Sequence, residues 1–247
     1  MKRMGFKQEK GSATTKGAAK QTNEDSFLLE SNERDEMLLA VADGVSSLED
    51  GDTASSFSVG ALKAWWNTEY ASCCHDISLA ATSLSQCVAQ INEALVSSAS
   101  SRQTKMGTTL SVLLLQNSNY IFLHIGDSRI YRIKKGFLRN IDQLTRDHTK
   151  TMPKLVGGVT RNKKYLTQCL GYKKEICPDC DTGEVNKGDL FFVCSDGVYK
   201  TISEKDMLRL AAKGRYQAER ICRLLLDAAI QRGEGDDITV VAATSSV

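Results

Sequence analysis

The chain has 247 residues, 41% of them hydrophobic and 25% charged, with a formal net charge of +2. A balance this even offers no strong electrostatic pull toward nucleic acid or an anionic membrane. No apolar run is long enough to span a bilayer, and the basic N-terminus "MKRMGFKQEKGSATTKG" has no apolar stretch behind it, so a signal peptide is not expected. With two prolines, evenly spread glycine and no low-complexity tract, the expectation is one domain over 1–247 in the cytoplasm.

Short apolar runs predict strands over 26–30, 37–42, 109–116, 120–125, 129–133, 190–195 and 238–243. "NSN" at 117–119 and "KKG" at 134–136 look like hairpin links, which imply antiparallel pairing. The runs 112–115 and 191–193 are apolar at consecutive positions, as in a sheet covered on both faces.

Helices interrupt this pattern twice. Ile77, Ala81, Leu84, Val88, Ile91 and Leu95 recur at alternating spacings of three and four, predicting a helix over 77–99. A preceding helix is expected over 53–70, with Phe57, Leu62 and one of Trp65 and Trp66 inward. Ser203 is a candidate N-cap with Asp206 three residues on, and a last helix over 217–230 would bury Ile221, Leu224, Leu225 and Ala228. Two helix pairs around two antiparallel sheets give an α+β fold, a four-layer α-β-β-α sandwich.

Acids gather where the strands end. Two runs, "LLAVADGVSS" and "FFVCSDGVYK", stop at Asp-Gly-Val and bring Asp43 and Asp196 to strand ends. Glu24 and Asp25 precede the first predicted strand, Asp127 lies between two strands, and Asp236 and Asp237 precede the last. Any one of them alone reads as a turn residue. Converging carboxylates repel unless a cation stands between them, and oxygen-only sites suit Mg²⁺ or Mn²⁺. Glycine beside aspartate lets a backbone carbonyl approach the ion as well. Two ions about 4 Å apart would support in-line displacement at phosphorus.

Eight segments carry a resemblance in order: "KQTNEDSF", "LLAVADGV", "MGTTLSVLLL", "HIGDSRIYRI", "LTRDHT", "LTQCLG", "FFVCSDGV" and "DDITVVAA". Together they resemble the metal-dependent Ser/Thr protein phosphatases of the type 2C (PPM) family, in its bacterial form. The resemblance implies a hydrolase that removes phosphate from phosphoserine and phosphothreonine through a metal-bridged hydroxide, using two or three Mn²⁺ or Mg²⁺ ions. It implies that Asp43 bridges two metals, that Asp196 and Asp236 complete the first, and that Glu24 and the Gly44 carbonyl hold the second. Asp127, with Asp196, matches a third-metal position, and Asp25 would orient metal-bound water. A flap would cover about 149–165, as a variable loop rich in Gly and Lys. Partners would be phosphorylated proteins and a cognate Ser/Thr kinase, with no nucleic acid or membrane, and the chain a monomer.

Four departures stand out. The family's phosphate-clamping Arg is Lys20 here, which keeps the charge but loses the bidentate fork. "DGVSS" puts Ser46 and Ser47 where glycines are usual. Val45 stands where some members carry a His proposed as general acid. Asp237 replaces the usual Asn. The alternative reading is a catalytically weak relative that binds phosphoproteins. Of the two glycines after the echoing aspartates, Gly44 is expected at the metal and Gly197 only at a turn.

Other residues have plainer readings. Cys87, Cys194 and Cys222 read as buried thiols of a reduced protein, and "CPDC" at 177–180 as half a zinc site or a redox pair, or as neither. His124 and His148 read as packed and hydrogen-bonded, Arg129 as a tie from its hairpin to nearby acids, and Trp65–Trp66 as a core residue beside a partly exposed one.

Overall fold

The structure, a computed structural model, describes residues 9–136, 139–156 and 159–245. In chain order the elements are β1 (Lys10–Thr15), β2 (Asp25–Ser31), β3 (Met37–Asp43), α1 (Gly51–Thr68), α2 (Tyr70–Cys73), α3 (Ile77–Arg102), β4 (Leu110–Gln116), β5 (Asn119–Ile125), β6 (Arg129–Ile133), β7 (Ile141–Gln143), β8 (Thr149–Val156) and β9 (Val159–Leu166). There follow β10 (Asp179–Glu184), β11 (Leu190–Cys194), α4 (Asp196–Tyr199), α5 (Glu204–Lys213), α6 (Ala218–Gln231) and β12 (Ile238–Thr244). One antiparallel sheet runs β10-β5-β4-β3-β2 and the other β1-β12-β11-β6-β7, while β8 and β9 pair only with each other.

Strand periodicity explains the layering. Successive side chains of a strand point to opposite faces. On β3, Leu38, Ala40 and Ala42 meet Leu62 and Trp65 of α1 and Leu84, Val88 and Ile91 of α3. Met37, Leu39 and Val41 of the same strand face the second sheet, where they join Ile130, Phe191, Val193 and Val241. The outer face of that sheet, with Tyr131, Phe192 and Val240, is covered by Met207 and Ala211 of α5 and Ile221 and Leu225 of α6. Both faces of each central strand are therefore dry, which is why the runs are apolar at every position rather than alternating. The α-β-β-α sandwich read from the sequence is the observed architecture.

Local detail differs in places. Phe57 is 44% exposed, because the buried face of α1 runs through Ala54, Ser58, Leu62 and Trp65. Both tryptophans are buried, since Trp66 stacks on Tyr70 with ring centroids 4.5 Å apart. On α6 the fully buried stripe is Ala218, Ile221, Cys222, Leu225 and Ala229, with Leu224 and Ala228 only partly covered. Ser203 does cap α5, its hydroxyl accepting from the Asp206 N–H.

The flap is a β-hairpin rather than an irregular loop, registered from Thr149 against Leu166 to Val156 against Val159. Residues 157 and 158 lie outside the described residues, as do residues 1–8 of the basic N-terminus. Strands β1, β7 and β10 have no apolar signature, because they are edge strands with largely solvated side chains.

Candidate metal and active site

The acids meet at one end of the sandwich. Asp43 ends β3, and the chain there is pinned from both sides. Its N–H donates to Thr109 Oγ1 at 3.0 Å, and its carbonyl accepts the Thr109 N–H at 2.8 Å and the Thr108 hydroxyl at 3.0 Å. Asp25 is its register partner on β2. The Gly44 N–H donates to the Glu24 carbonyl, and a Cβ on Gly44 would come within 2.6 Å of the Gly51 backbone. Only glycine lets α1 begin this close to the strand end.

Asp196 opens α4, directly after β11. Gly197 does not turn the chain, as the sequence had implied. It sits in α4, where a Cβ would stand 2.1 Å from the Asp237 carbonyl. Each Asp-Gly pair thus marks a close backbone approach that brings its carboxylate to the same place. Asp127 lies between β5 and β6, its carbonyl bonded by the Tyr199 hydroxyl at 2.9 Å. A cavity of about 560 Å³ opens here, with Asp43, Gly44, Asp127, Asp196, Asp236 and Lys200 in its wall.

Electrostatic strain is concentrated at this point. Burial, with Asp25, Asp196, Asp127 and Asp236 around it, pushes the Asp43 carboxyl well above the usual range. Burial pushes Asp25 up to about 7 despite the Ser195 hydroxyl at 2.7 Å, and Asp237 and Asp196 add to the shift. Burial and the nearby Asp196 raise Asp127 to about 6. Asp196 is also raised by burial, against the pull of Lys200. Asp25 Oδ1 and Asp196 Oδ1 are buried without a hydrogen-bond partner. Buried carboxylate oxygens without donors, crowded at like charge, are the donor set that a hard divalent cation satisfies.

Two lysines relieve part of the crowding. The Lys20 ammonium reaches Glu24 at 3.0 Å, Asp236 at 2.6 Å, Asp237 at 2.9 Å and the Ser46 hydroxyl at 3.0 Å. Burial alone would lower its pKa, but the bonds to Asp236, Asp237 and Glu24 raise it. Lys200 reaches Asp196 at 2.7 Å and Asp236 at 2.9 Å. Burial acts to raise Asp236, but both lysines outweigh it and hold it down to about 2. Glu24, Asp236 and Asp196 are therefore linked, each to the next, through a single ammonium. Among the described residues no three His, Cys, Asp or Glu side chains stand together closely enough, as placed, to hold a metal ion; the Lys20 and Lys200 ammonium groups are bonded among the carboxylates.

Every acid singled out from the sequence comes to this end of the fold, and so does Lys20, which faces the acids rather than the cavity. Ser46 fills its motif position by bonding Glu24. Asp237 is turned from the cavity and accepts from the Gly17 and Glu24 N–H groups, both at 2.8 Å. Two further residues at the site carry no role in the sequence reading: Ser195, within "FFVCSDGV", and Lys200, just beyond it. Lys200 follows Asp196 by four residues, one helical turn, and that spacing was its only mark in the sequence. The plainer readings of Arg129, His124 and His148 agree with the structure. Arg129 grips Asp147 through two bonds of 2.8 and 2.9 Å. His124 bonds Ser111, and His148 accepts from the Gly126 N–H. All eight cysteines are free thiols; Cys87, Cys194 and Cys222 are buried, and Cys177 and Cys180 are exposed.

The family model for protein phosphatase 2C matches residues 14–224. The chain belongs to the protein phosphatase 2C family. It is 28% identical to "Serine/threonine phosphatase stp" of Listeria monocytogenes over 239 residues, 92% of each chain. A Streptococcus agalactiae serine/threonine phosphatase structure superposes with a TM-score of 0.81 at 26% identity, over 96% of this chain and 99% of that one. The catalytic domain of the phosphatase PstP, in complex with two manganese ions, shares the fold with a TM-score of 0.77 at 24% identity, over 96% of this chain and 97% of that one. In a protein phosphatase 2C chain, the cavity at the strand ends is the candidate active site. No helix among the described residues is long and apolar enough to cross a membrane.

Proposed function

We propose that the chain is a protein-serine/threonine phosphatase that depends on divalent metal, acting over 1–247 as one catalytic domain with its flap at about 149–165. The observation that carries this is the convergence of Asp43, Asp127, Asp196 and Asp236 on one cavity, with buried carboxylate oxygens lacking donors. Family membership and relatives named as serine/threonine phosphatases support the reading.

Asp43, Asp196 and Asp236 would hold one cation, and Asp43, Glu24 and the Gly44 carbonyl a second. Asp127 with Asp196 would hold a third. Mn²⁺ or Mg²⁺ suits these oxygen donors, and PstP holds two manganese ions on the same fold. When bound, such ions activate a water for in-line attack and offset phosphoryl charge. Asp25, which accepts the Ser195 hydroxyl, would orient water at the metal. Lys20 binds substrate phosphate after its side chain turns from the acids toward the cavity. Phosphorylated proteins are the substrates and a Ser/Thr kinase the opposing enzyme. A cytoplasmic, monomeric chain completes the reading.

Turnover of p-nitrophenyl phosphate with Mn²⁺, lost in Asp196→Asn, is the expected result. A phosphoprotein binder of the same fold would give no turnover with saturating Mn²⁺.

A further inference from the structure

The flap hairpin is charged on one side of the balance only. Residues 149–166 carry Lys150, Lys154, Arg161, Lys163 and Lys164 and no Asp or Glu. Lys163, Lys164 and Tyr165 form part of the wall of the candidate active-site cavity. A second cavity of about 670 Å³ adjoins it and shares Leu166, Cys169 and Tyr172 with the first. Lys173 lines this second cavity, with Glu175 as its one acid. The two adjoining cavities are taken together as one trough, the second part of which has none of the candidate metal-site acids in its wall.

The lysines differ in how far they are engaged. Lys164 is held by Asp147 at 2.6 Å, which Arg129 also grips. Among the described residues, Lys163 and Lys173 make no ion pair. Both are exposed, and the Lys163 ammonium stands 5.5 Å from the Tyr165 ring centroid. Tyr172, 56% exposed, lies between the two cavities. Two cations without an ion pair therefore line a trough that also carries Tyr165 and Tyr172 and whose first part holds the candidate metal-site acids.

We infer that this trough binds the substrate segment next to the phosphorylated residue and selects segments carrying Asp or Glu. The proposal rests on the phosphatase reading and adds the chemistry of the flanking residues. A neutral or basic flank would leave Lys163 and Lys173 without a partner or repel them, and so would not be favoured.

The test compares phosphothreonine peptides with Asp/Glu, Ala or Lys flanks, with p-nitrophenyl phosphate as the flank-free substrate, all with saturating Mn²⁺. At low salt, kcat/KM for the acidic peptide is expected to exceed that for the alanine peptide by about three- to tenfold, the reach of two exposed ion pairs. The ratio is expected to collapse toward one near 1 M salt, where the screening length is about 3 Å. Lys163→Glu with Lys173→Glu is expected to reverse the preference toward the lysine peptide. Equal rates on acidic and neutral peptides, or a preference that survives the double charge reversal, would overturn the inference while the phosphatase reading stands. No turnover of any substrate, p-nitrophenyl phosphate included, would overturn both.

Discussion

Asp237 holds the Lys20 ammonium at 2.9 Å while accepting the backbone N–H groups of Gly17 and Glu24. The two family departures at these positions are therefore one feature. A carboxylate in place of Asn supplies the charge that a lysine in place of Arg is drawn to. Asp237 is only 3% exposed, so its three partners are all that satisfies it. Asp237→Asn keeps one acceptor oxygen and turns an amide toward Lys20. The expected cost is about 1–3 kcal/mol, read as a lower midpoint in urea unfolding. Asp237→Asn with Lys20→Arg is expected to recover part of the loss, because Arg brings a second donor to the remaining acids.

Arg129 links the flap base to the metal end. It is bidentate to Asp147, and its guanidinium lies 3.6 Å from the centroid of the Tyr199 ring, whose hydroxyl bonds the Asp127 carbonyl. Lysine keeps the charge but not the fork or the stacking plane. Arg129→Lys is expected to cost about 1–3 kcal/mol in thermal unfolding and to weaken Mn²⁺ binding in calorimetry through the Asp127 loop. Unchanged Mn²⁺ affinity would detach Tyr199 from the positioning of Asp127.

Arg132 and Asp189 form a buried ion pair far from the cavity, and Asp189 also accepts the Lys135 N–H at 2.8 Å. Removing one member of such a pair leaves an uncompensated charge, at about 3–5 kcal/mol. Asp189→Ala is expected to lower the melting temperature far more than any single metal-site Asp→Asn change, with Mn²⁺ affinity retained in what remains folded.

Stability without metal should depend on pH in an unusual direction. Asp25, pushed to about 7, and Asp127, to about 6, hold protons in the folded chain that an unfolded Asp releases near about 3.9. The folded state then binds more protons, so stability falls as pH rises. Their stabilising effect is whole below about pH 4 and is lost as pH climbs through about 6 to 7. Asp147, lowered by Arg129 and Lys164 despite its burial, acts oppositely, but only below its ordinary range. In EDTA, the melting temperature is expected to drop from pH 5.5 to pH 8 by several degrees, at about 2–4 °C per kcal/mol. Asp25→Asn is expected to flatten that slope, and saturating Mn²⁺ to reverse most of it through binding to the folded state. A flat profile in EDTA would contradict the crowding of these carboxylates.

The central strands and covering helices were legible because burial on both faces writes itself as unbroken apolar runs, such as 191–193, and as the three-four spacing from Leu84 to Leu95. The edge strands were not, since β7 and β10 place polar side chains in water and are held by backbone pairing. The flap segment's Gly and Lys content reads as a loop, whereas its backbone pairs as β8 and β9, because a solvated hairpin with polar side chains leaves no apolar run. At the site, strand-end position marked each acid. Lys200 was hidden because its meaning depends on where Asp236 arrives from 36 residues further along. Asp237's inward turn likewise depends on contacts with Gly17 and Glu24, which no local spacing encodes.

The most direct test of the account is release of inorganic phosphate from a phosphothreonine peptide by the full chain, with Mn²⁺ or with EDTA, alongside Asp43→Asn. The expected result is release with Mn²⁺, none in EDTA, and a loss of roughly a hundredfold or more in Asp43→Asn with Mn²⁺ affinity lowered in calorimetry. Release that persists in EDTA, or in Asp43→Asn at the wild-type rate, would contradict a metal site at Asp43.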